Sequence, residues 1–316
     1  MPVSGLEELW EKEFEGDSVA VGFRPSGSLH LGNLVTISYA AVLADELGLD
    51  LDLMVCDTDW SAHIHGDHLP DENRCMKLFF DRDCPCGEHR DVAEHRVDEI
   101  SDFLNVLRDE TVDFEVNYLS RYSSKGYDEA LRTVLNNMDR FDEIFGGGFR
   151  RRYRSPVAAV CSECGFSDAK GSAYSGESDE LVSACRNPDC SSGFMRTELS
   201  ESRKGVYYLA DPVRDPVRDV AVHVFGGDYR DAEKEQKTPK IEKVEKITEL
   251  AHGETPEYFL APIIVTEDGL PLSKSTGTGV SVEEIDHLES FSRELVENVK
   301  ELTGEEREFV SEKELI

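Results

Sequence analysis

Residues 18–33 read SVAVGFRPSGSLHLGN. Ser18–Phe23 has the near-continuous apolar character of a strand buried on both faces, and RPSGS breaks it with proline and glycine. From Leu31 to Leu47, leucine, valine, isoleucine and alanine recur at helical spacing until Gly48, and a second short apolar run follows at Asp50–Val55. Strand, glycine-bearing turn, helix and strand make Ser18–Val55 a βαβ unit, so the expected fold class is α/β with a Rossmann-like parallel sheet.

Working outward, helical periodicity covers Val92–Leu107 and Tyr127–Phe145, with a strand candidate at Phe114–Leu119. Gly146–Gly148 ends that pattern. The segment to about Lys204 is rich in Ser, Gly, Cys and Arg, and reads as an inserted module. Strand-like runs resume at Val206–Leu209 and Val220–Phe225, then a charged helix at Asp231–His252, a strand at Tyr258–Val265 and a helix near Ser281–Leu302. The expected organisation is 1–145 as the first half of the α/β domain with a small Cys/His clip. Residues 146–203 are expected to be a cysteine-bearing, ribbon-like insertion, 204–290 the second half of the domain with an LSKS loop, and 291–316 a short helix and tail.

The chain has 316 residues and 39% hydrophobic content, enough for a sizeable core, and excludes a peptide hormone or short binding module. Asp and Glu number 66 against 34 Lys and Arg, a formal charge of −32 spread along the whole chain. Such a charge ordinarily repels a polyanion. In molar salt, however, the Debye length falls to about 3 Å, and dispersed carboxylates hydrate the surface while local contacts still hold an RNA. The composition reads as a halophile-like surface. No run of 18 apolar residues occurs and the start is an acidic amphipathic stretch, so a cytoplasmic protein without a membrane span is expected.

Arg24–Asn33 lies where a strand hands over to a helix, the place where backbone N–H groups and the positive helix end meet phosphate. Pro25 and Gly27 shape a tight turn, Gly32 admits a close approach, and His30 is suited to donate to a phosphate oxygen as charge grows on it. Near the other end, Pro271–Gly279 reads PLSKSTGTG, a loop after a buried strand. Lys274 offers an ammonium to the β- and γ-phosphates, and Ser273 and Ser275 supply hydroxyl and backbone donors.

HLGN followed in this order by LSKS resembles the HIGH and KMSKS signatures of class I aminoacyl-tRNA synthetases. PSGxxHxGN resembles the class I lysyl-tRNA synthetases in particular, and the similarity extends to DTDW at Asp57–Trp60, GEHRDVAEH at Gly87–His95, YSSKGYDEAL at Tyr122–Leu131, RYRSPVAAVCSEC at Arg152–Cys164 and FGGDY at Phe225–Tyr229. The resemblance implies a nucleotide-binding parallel α/β domain, ATP with Mg2+ as cosubstrate, activation of an amino acid to the adenylate, and transfer to tRNA. His30 and Lys274 would bind the transition-state phosphates, Asn33 would replace the second His of the signature, and Gly226, Gly227 and Asp228 would hold the ribose. The amino-acid pocket would be lined by Gly22, Arg24, Asp57, Asp59, Asp211 and Tyr229.

Departures from the family pattern gather at that pocket. A fixed cation at Arg24 opposes a lysine ammonium, the stretch before the ribose motif reads YYLADPVRD at Tyr207–Asp215, Tyr229 replaces a His, and Pro271 replaces the first Lys of KMSKS. Only 42 residues follow Lys274, where the family carries a long helical region that grips the anticodon end. A truncated paralog is the expectation. Transfer to a non-tRNA or modified-nucleotide acceptor, or a noncatalytic RNA-binding or regulatory role, stands as the alternative. The sequence leaves the oligomeric state open.

Eight cysteines in such a chain point to metal more than to disulfides. Cys161 and Cys164 form a CxxC knuckle, and Cys185 with Cys190 closes a four-thiolate zinc site of structural type. Cys84, Cys86, His89 and His95 make a tighter C-x-C-x2-H-x5-H cluster suited to a second zinc; the lysyl family has a comparable site with a different ligand order. His63, His65 and His68 with Asp57, Asp59 and Asp67 can be read as a metal cluster, but the preferred reading is a polar loop at a strand's carboxyl end lining the pocket, where Asp57 and Asp59 suit a substrate ammonium. Arg150, Arg151, Arg152 and Arg154 form the densest basic run, read either as a phosphate contact or as arginines paired with surface carboxylates.

Overall fold

The computed structural model describes residues 9–25, 29–58, 83–122, 124–168, 170–200, 213–230, 239–266, 268–272, 280–303 and 307–315, with the backbone of 75–77 and 205–206. Its centre is a five-stranded sheet of β1 (Ser18–Phe23), β2 (Asp50–Val55), β3 (Val116–Tyr118), β4 (Val220–Phe225) and β5 (Glu257–Leu260), in the order β5-β4-β1-β2-β3. Every pairing is parallel. Phe23 lies opposite Val55, Val55 opposite Tyr118, and Phe225 opposite Leu260. The carboxyl ends therefore share one edge, and the strand order reverses between β1 and β4, where open α/β sheets place their ligand crevice.

Helices cover both faces, as parallel strands require. Helix α1 (Leu31–Leu47) is apolar nearly all round because α6 (Leu288–Thr303) and the sheet enclose it. It stops at Gly48, whose positive φ of 66° lets its N–H close on the Ala44 and Asp45 carbonyls. The long helix expected at Val92–Leu107 is two, α2 (Val92–Asp98) and α3 (Ser101–Glu110). The one expected at Tyr127–Phe145 divides into α4 (Lys125–Asn136) and Met138–Ile144. On the opposite face, α4 and α5 (Lys240–His252) share a core with the insertion, in which Tyr127, Leu131 and Ile247 meet Leu181 and Met195. The insertion itself is a three-stranded antiparallel sheet of Ala173–Ser175, Glu180–Ala184 and Phe194–Glu198.

The run Tyr258–Val265 is also divided. Beyond β5, Ile263–Val265 leaves the main sheet and pairs in parallel with Phe309–Ser311, so the end of the chain is a structural strand as well as a tail. Among the described residues no helix is long and apolar enough to cross a membrane.

Candidate functional site

The first signature loop leaves β1 at an exposed Arg24 and a buried Pro25; Gly27 lies outside the described residues. His30 is the N-cap of α1 in extended conformation, with φ −127° and ψ 165°. Its N–H donates to Asn33 Oδ1 at 3.2 Å, while the Asn33 N–H donates to the His30 carbonyl at 2.8 Å. Asn33 thus fixes the turn that presents His30. A polar residue three positions after the N-cap is the sequence signal for this lock. Gly32 makes room for the imidazole, since a Cβ there would lie 3.0 Å from both His30 Cε1 and Nδ1.

Ser273, Lys274 and Ser275 lie outside the described residues, but the chain on either side of them does not. On the entry side Leu272 N–H donates to the Ile264 carbonyl at 2.8 Å. On the exit side Leu31 N–H donates to the Val280 carbonyl at 3.0 Å, Val282 N–H donates to the Leu29 carbonyl at 2.8 Å, and His30 and Ser281 form an antiparallel bridge. Two segments some 250 positions apart in sequence are therefore stitched together at the residues flanking both signatures.

At the end of β4, Gly227 is pressed onto the segment after β5: a Cβ would meet the Ala261 carbonyl oxygen at 2.8 Å and Ile263 N at 2.9 Å. Gly226 faces α1, with Thr36 Oγ1 3.7 Å from its Cβ position. Asp228 is exposed, its Oδ2 held by Lys240 Nζ at 2.6 Å and its Oδ1 turned toward Gly226. Tyr229 packs on Phe225 with ring centroids 4.7 Å apart, and the Lys240 ammonium lies 5.3 Å from its centroid. The expected pocket residues Asp59 and Asp211, like His63, His65, Asp67 and His68, lie outside the described residues; Gly22 sits in β1 opposite Met54.

Asp57 also has a structural task at the end of β2. It is buried, and its carboxylate accepts from Ser120 N–H at 2.8 Å and Ser120 Oγ at 2.5 Å, tying the end of β2 to the turn after β3. Burial pushes its pKa up, the Ser120 donors oppose that, and the Asp91 charge adds to it. Thr58 beside it is buried with its hydroxyl unpartnered among the described residues.

Both cysteine clusters assemble. The Cys161, Cys164, Cys185 and Cys190 sulfurs lie within 4.8 Å of one another, with Cys161 to Cys190 at 3.7 Å and Cys164 to Cys185 at 3.6 Å. A tetrahedral zinc with Zn–S near 2.3 Å sets its sulfurs roughly 3.8 Å apart, so this donor set fits the ion. Burial pushes the Cys161 thiol up, but the Cys164 and Glu163 N–H groups and the neighbouring thiols outweigh it and hold it at about 7. Burial raises Cys185.

In the second cluster Cys84 Sγ lies 2.9 Å from Cys86 Sγ and 3.4 Å from His95 Nδ1, while His89 Nδ1 lies 3.2 Å from both Cys86 Sγ and His95 Nδ1. Hydrogen bonds from Cys84, then His89 and the Glu88 N–H, pull the Cys86 thiol down to about 5. Each histidine turns its other nitrogen to a carboxylate, His89 Nε2 to Asp98 at 3.3 Å and His95 Nε2 to Glu99 at 2.9 Å. Carboxylates of this kind orient metal-binding imidazoles. Spacing in sequence exposes the four cluster residues, whereas Asp98 and Glu99 are hidden among the many acidic residues of the chain.

The basic run divides. Arg150 pairs with Asp139, and Arg154 binds the buried Asp168 at 2.7 Å and the Gly171 carbonyl at 3.2 Å. These two secure the insertion; Arg151 and Arg152 are exposed.

A profile of the family described as tRNA synthetases class I (K) matches residues 6–298. The chain is 26% identical over 285 residues to lysine–tRNA ligase 1 of Methanosarcina acetivorans, covering 84% of this chain and 50% of that protein. It is 24% identical over 287 residues to the lysine–tRNA ligase of Methanosphaera stadtmanae, covering 88% and 52%. The chain thus spans about half the length of the curated relatives it matches. Among solved structures, the glutamate–tRNA synthetase of Elizabethkingia anophelis is similar with a TM-score of 0.47 at 13% identity, over 94% of this chain and 69% of that one. The tyrosyl-tRNA synthetase of Archaeoglobus fulgidus gives 0.40 at 17%, over 87% and 64%.

Proposed function

This chain belongs to the class I (K) tRNA synthetases, and from that premise we propose that it is a lysyl-tRNA synthetase-like ligase that activates an amino acid with ATP and transfers it to tRNA. In the first step an oxygen of the amino-acid carboxylate attacks the α-phosphorus. A new O–P bond forms, the bond to the bridging oxygen breaks, and pyrophosphate leaves with the electron pair. The nucleophile is already an anion, so the site supplies positioning and charge stabilisation more than a base. His30 and Lys274 share the charge on the phosphates, with Ser273 and Ser275 as further donors. The α1 N-terminus and Gly32 receive the phosphates, Gly226 leaves room for the ribose while Gly227 lets the turn pack on the segment after β5, and Asp228 Oδ1 accepts from a ribose hydroxyl. Mg2+ would supply further neutralisation of the triphosphate. Zinc, where bound, would keep its four thiolates together as a structural staple.

The observation that carries this reading is the pair of backbone hydrogen bonds joining Leu29 and Leu31 to Val282 and Val280. They bring the flanks of the two signatures to one place at the sheet's switch point, where a triphosphate can be held from both sides. On the amino-acid side, Asp57 is committed to Ser120 and Arg24 is a cation in the entering loop, which supports a side-chain preference different from a plain lysine pocket. Transfer to a modified nucleotide or a carrier in place of tRNA is the alternative that the charging step below separates.

The test is ATP–pyrophosphate exchange with zinc-loaded protein at high salt, screened over the amino acids and followed by aminoacylation of tRNA. Exchange with one amino acid and charging of tRNA is expected. Exchange without charging assigns the chain to the alternative acceptor, and no exchange with any amino acid would leave a noncatalytic binding role.

A further inference from the structure

Helix α2 carries the metal-cluster ligand His95 and the next residue, Arg96, which point to different tasks. Among the described residues Arg96 is a largely buried guanidinium, 12% exposed, whose Nε has no partner. Its Nη1 binds Glu99, the carboxylate that also accepts from His95 Nε2 at 2.9 Å, and lies 3.6 Å from Glu283 Oε1. Glu283 sits in the helical turn Val282–Glu284. That turn donates Val282 N–H to the Leu29 carbonyl and follows Val280, whose carbonyl accepts from Leu31.

An unbroken set of contacts therefore runs from the Cys84/Cys86/His89/His95 cluster through Glu99, Arg96 and Glu283 to the place where the two signature loops are stitched. A guanidinium with so little solvent needs its carboxylates held in position, because desolvation penalises it when either is lost. Glu99 is held by His95, whose Nδ1 faces Cys84 and His89, and a metal held by the cluster would fix the orientation of that ring. The other flank of α2 leads elsewhere: Glu94 takes Arg90 at 2.8 Å and Arg121 at 3.2 Å, and Arg121 neighbours Ser120, the partner of Asp57.

We infer that the Cys84/Cys86/His89/His95 cluster is a positioning centre for the nucleotide site. Metal occupancy there sets how firmly the turn Val282–Glu284 holds against Leu29 and His30, with Arg96 as the positioning residue between them. The effect on ATP rests on the adenylating reading above; the mechanical coupling does not.

The experiment is hydrogen–deuterium exchange with mass spectrometry on the full zinc-loaded chain, following the peptide over residues 280–285, with Glu180–Ala184 of the insertion as control. In Arg96→Ala, zinc content stays at the wild-type value and exchange over 280–285 rises about three- to fivefold, the scale of losing a partly exposed ion pair. Arg96→Lys restores most of the protection. Cys86→Ser, which opens the cluster, raises exchange over 280–285 by about as much or more, and adding Arg96→Ala to it produces little further change. The control peptide is unaltered throughout. Wild-type exchange over 280–285 in both Arg96→Ala and Cys86→Ser overturns the coupling, as does a rise confined to residues 84–98. Should Arg96→Ala unfold, the surface variant Glu283→Gln decides by the same readout. A wild-type chain that fails ATP–pyrophosphate exchange would end the adenylating reading while leaving this comparison valid.

Discussion

Substituting Gly32 by alanine separates the helix from the chemistry at its start. The added Cβ would lie 3.0 Å from two atoms of the His30 ring, inside the carbon contact optimum of about 3.5–4.0 Å. No backbone atom is among its near neighbours, so the ring is what yields, by roughly 0.5–1 Å. The helix itself gains a part of the interior preference of about 0.5–1 kcal/mol for alanine over glycine, because Gly32 lies in its first turn. For a chain of this size that is a rise in Tm of a few degrees at most. A phosphate donor displaced by that distance loses most of its effect, and removing one such donor costs about 10²–10³ in rate, so a partial displacement should lower kcat for adenylation about 10–100-fold. Calorimetry and pyrophosphate exchange at saturating ATP measure the two effects on one sample. A variant with wild-type exchange and an unchanged or raised Tm would refute the placement of His30 as a phosphate donor.

Gly227→Ala drives a Cβ into the backbone of Ala261 and Ile263, where no side chain can swing away; overpacking of this kind should cost about 1–3 kcal/mol in denaturant unfolding. Cys161→Ser should release one zinc per chain by metal analysis and loosen the insertion, and unchanged stoichiometry would contradict the four-thiolate site. Asp179, whose pKa is held below its usual 3.8 chiefly by the Arg132 hydrogen bonds, ties the insertion to α4. Its contribution is complete above that value and fades as pH falls through the depressed folded value. Asp179→Asn keeps the residue's positive φ of 53° tolerable and should cost about 0.5–1 kcal/mol at pH 7, a difference that melting curves should show vanishing in acid.

The βαβ unit was legible because a strand buried on both faces and an enclosed helix both require apolar residues throughout, as Ser18–Phe23 and Leu31–Leu47 have. The cysteine clusters were legible because the spacings that a tetrahedral site imposes are short and local. The division of Val92–Leu107 into α2 and α3 was not, since Glu99 and Ile100 keep helical periodicity across the break. Nor was the strand Phe309–Ser311, which is three residues long and acquires its partner from a distant part of the chain. At the site, the residue types of Asp57, Arg150 and Arg154 were compatible with ligand contacts. Only the three-dimensional partners Ser120, Asp139 and Asp168 show them occupied. Arg96 and Glu283 were invisible for the same reason: their meaning depends on what they join.

The central claim is that HLGN and LSKS act on one triphosphate. Pyrophosphate exchange by Lys274→Ala, compared with wild type in the presence of its cognate amino acid and molar KCl, addresses it most directly. The account predicts a fall of roughly two orders of magnitude with unaltered melting and zinc content. Exchange at the wild-type rate would contradict it.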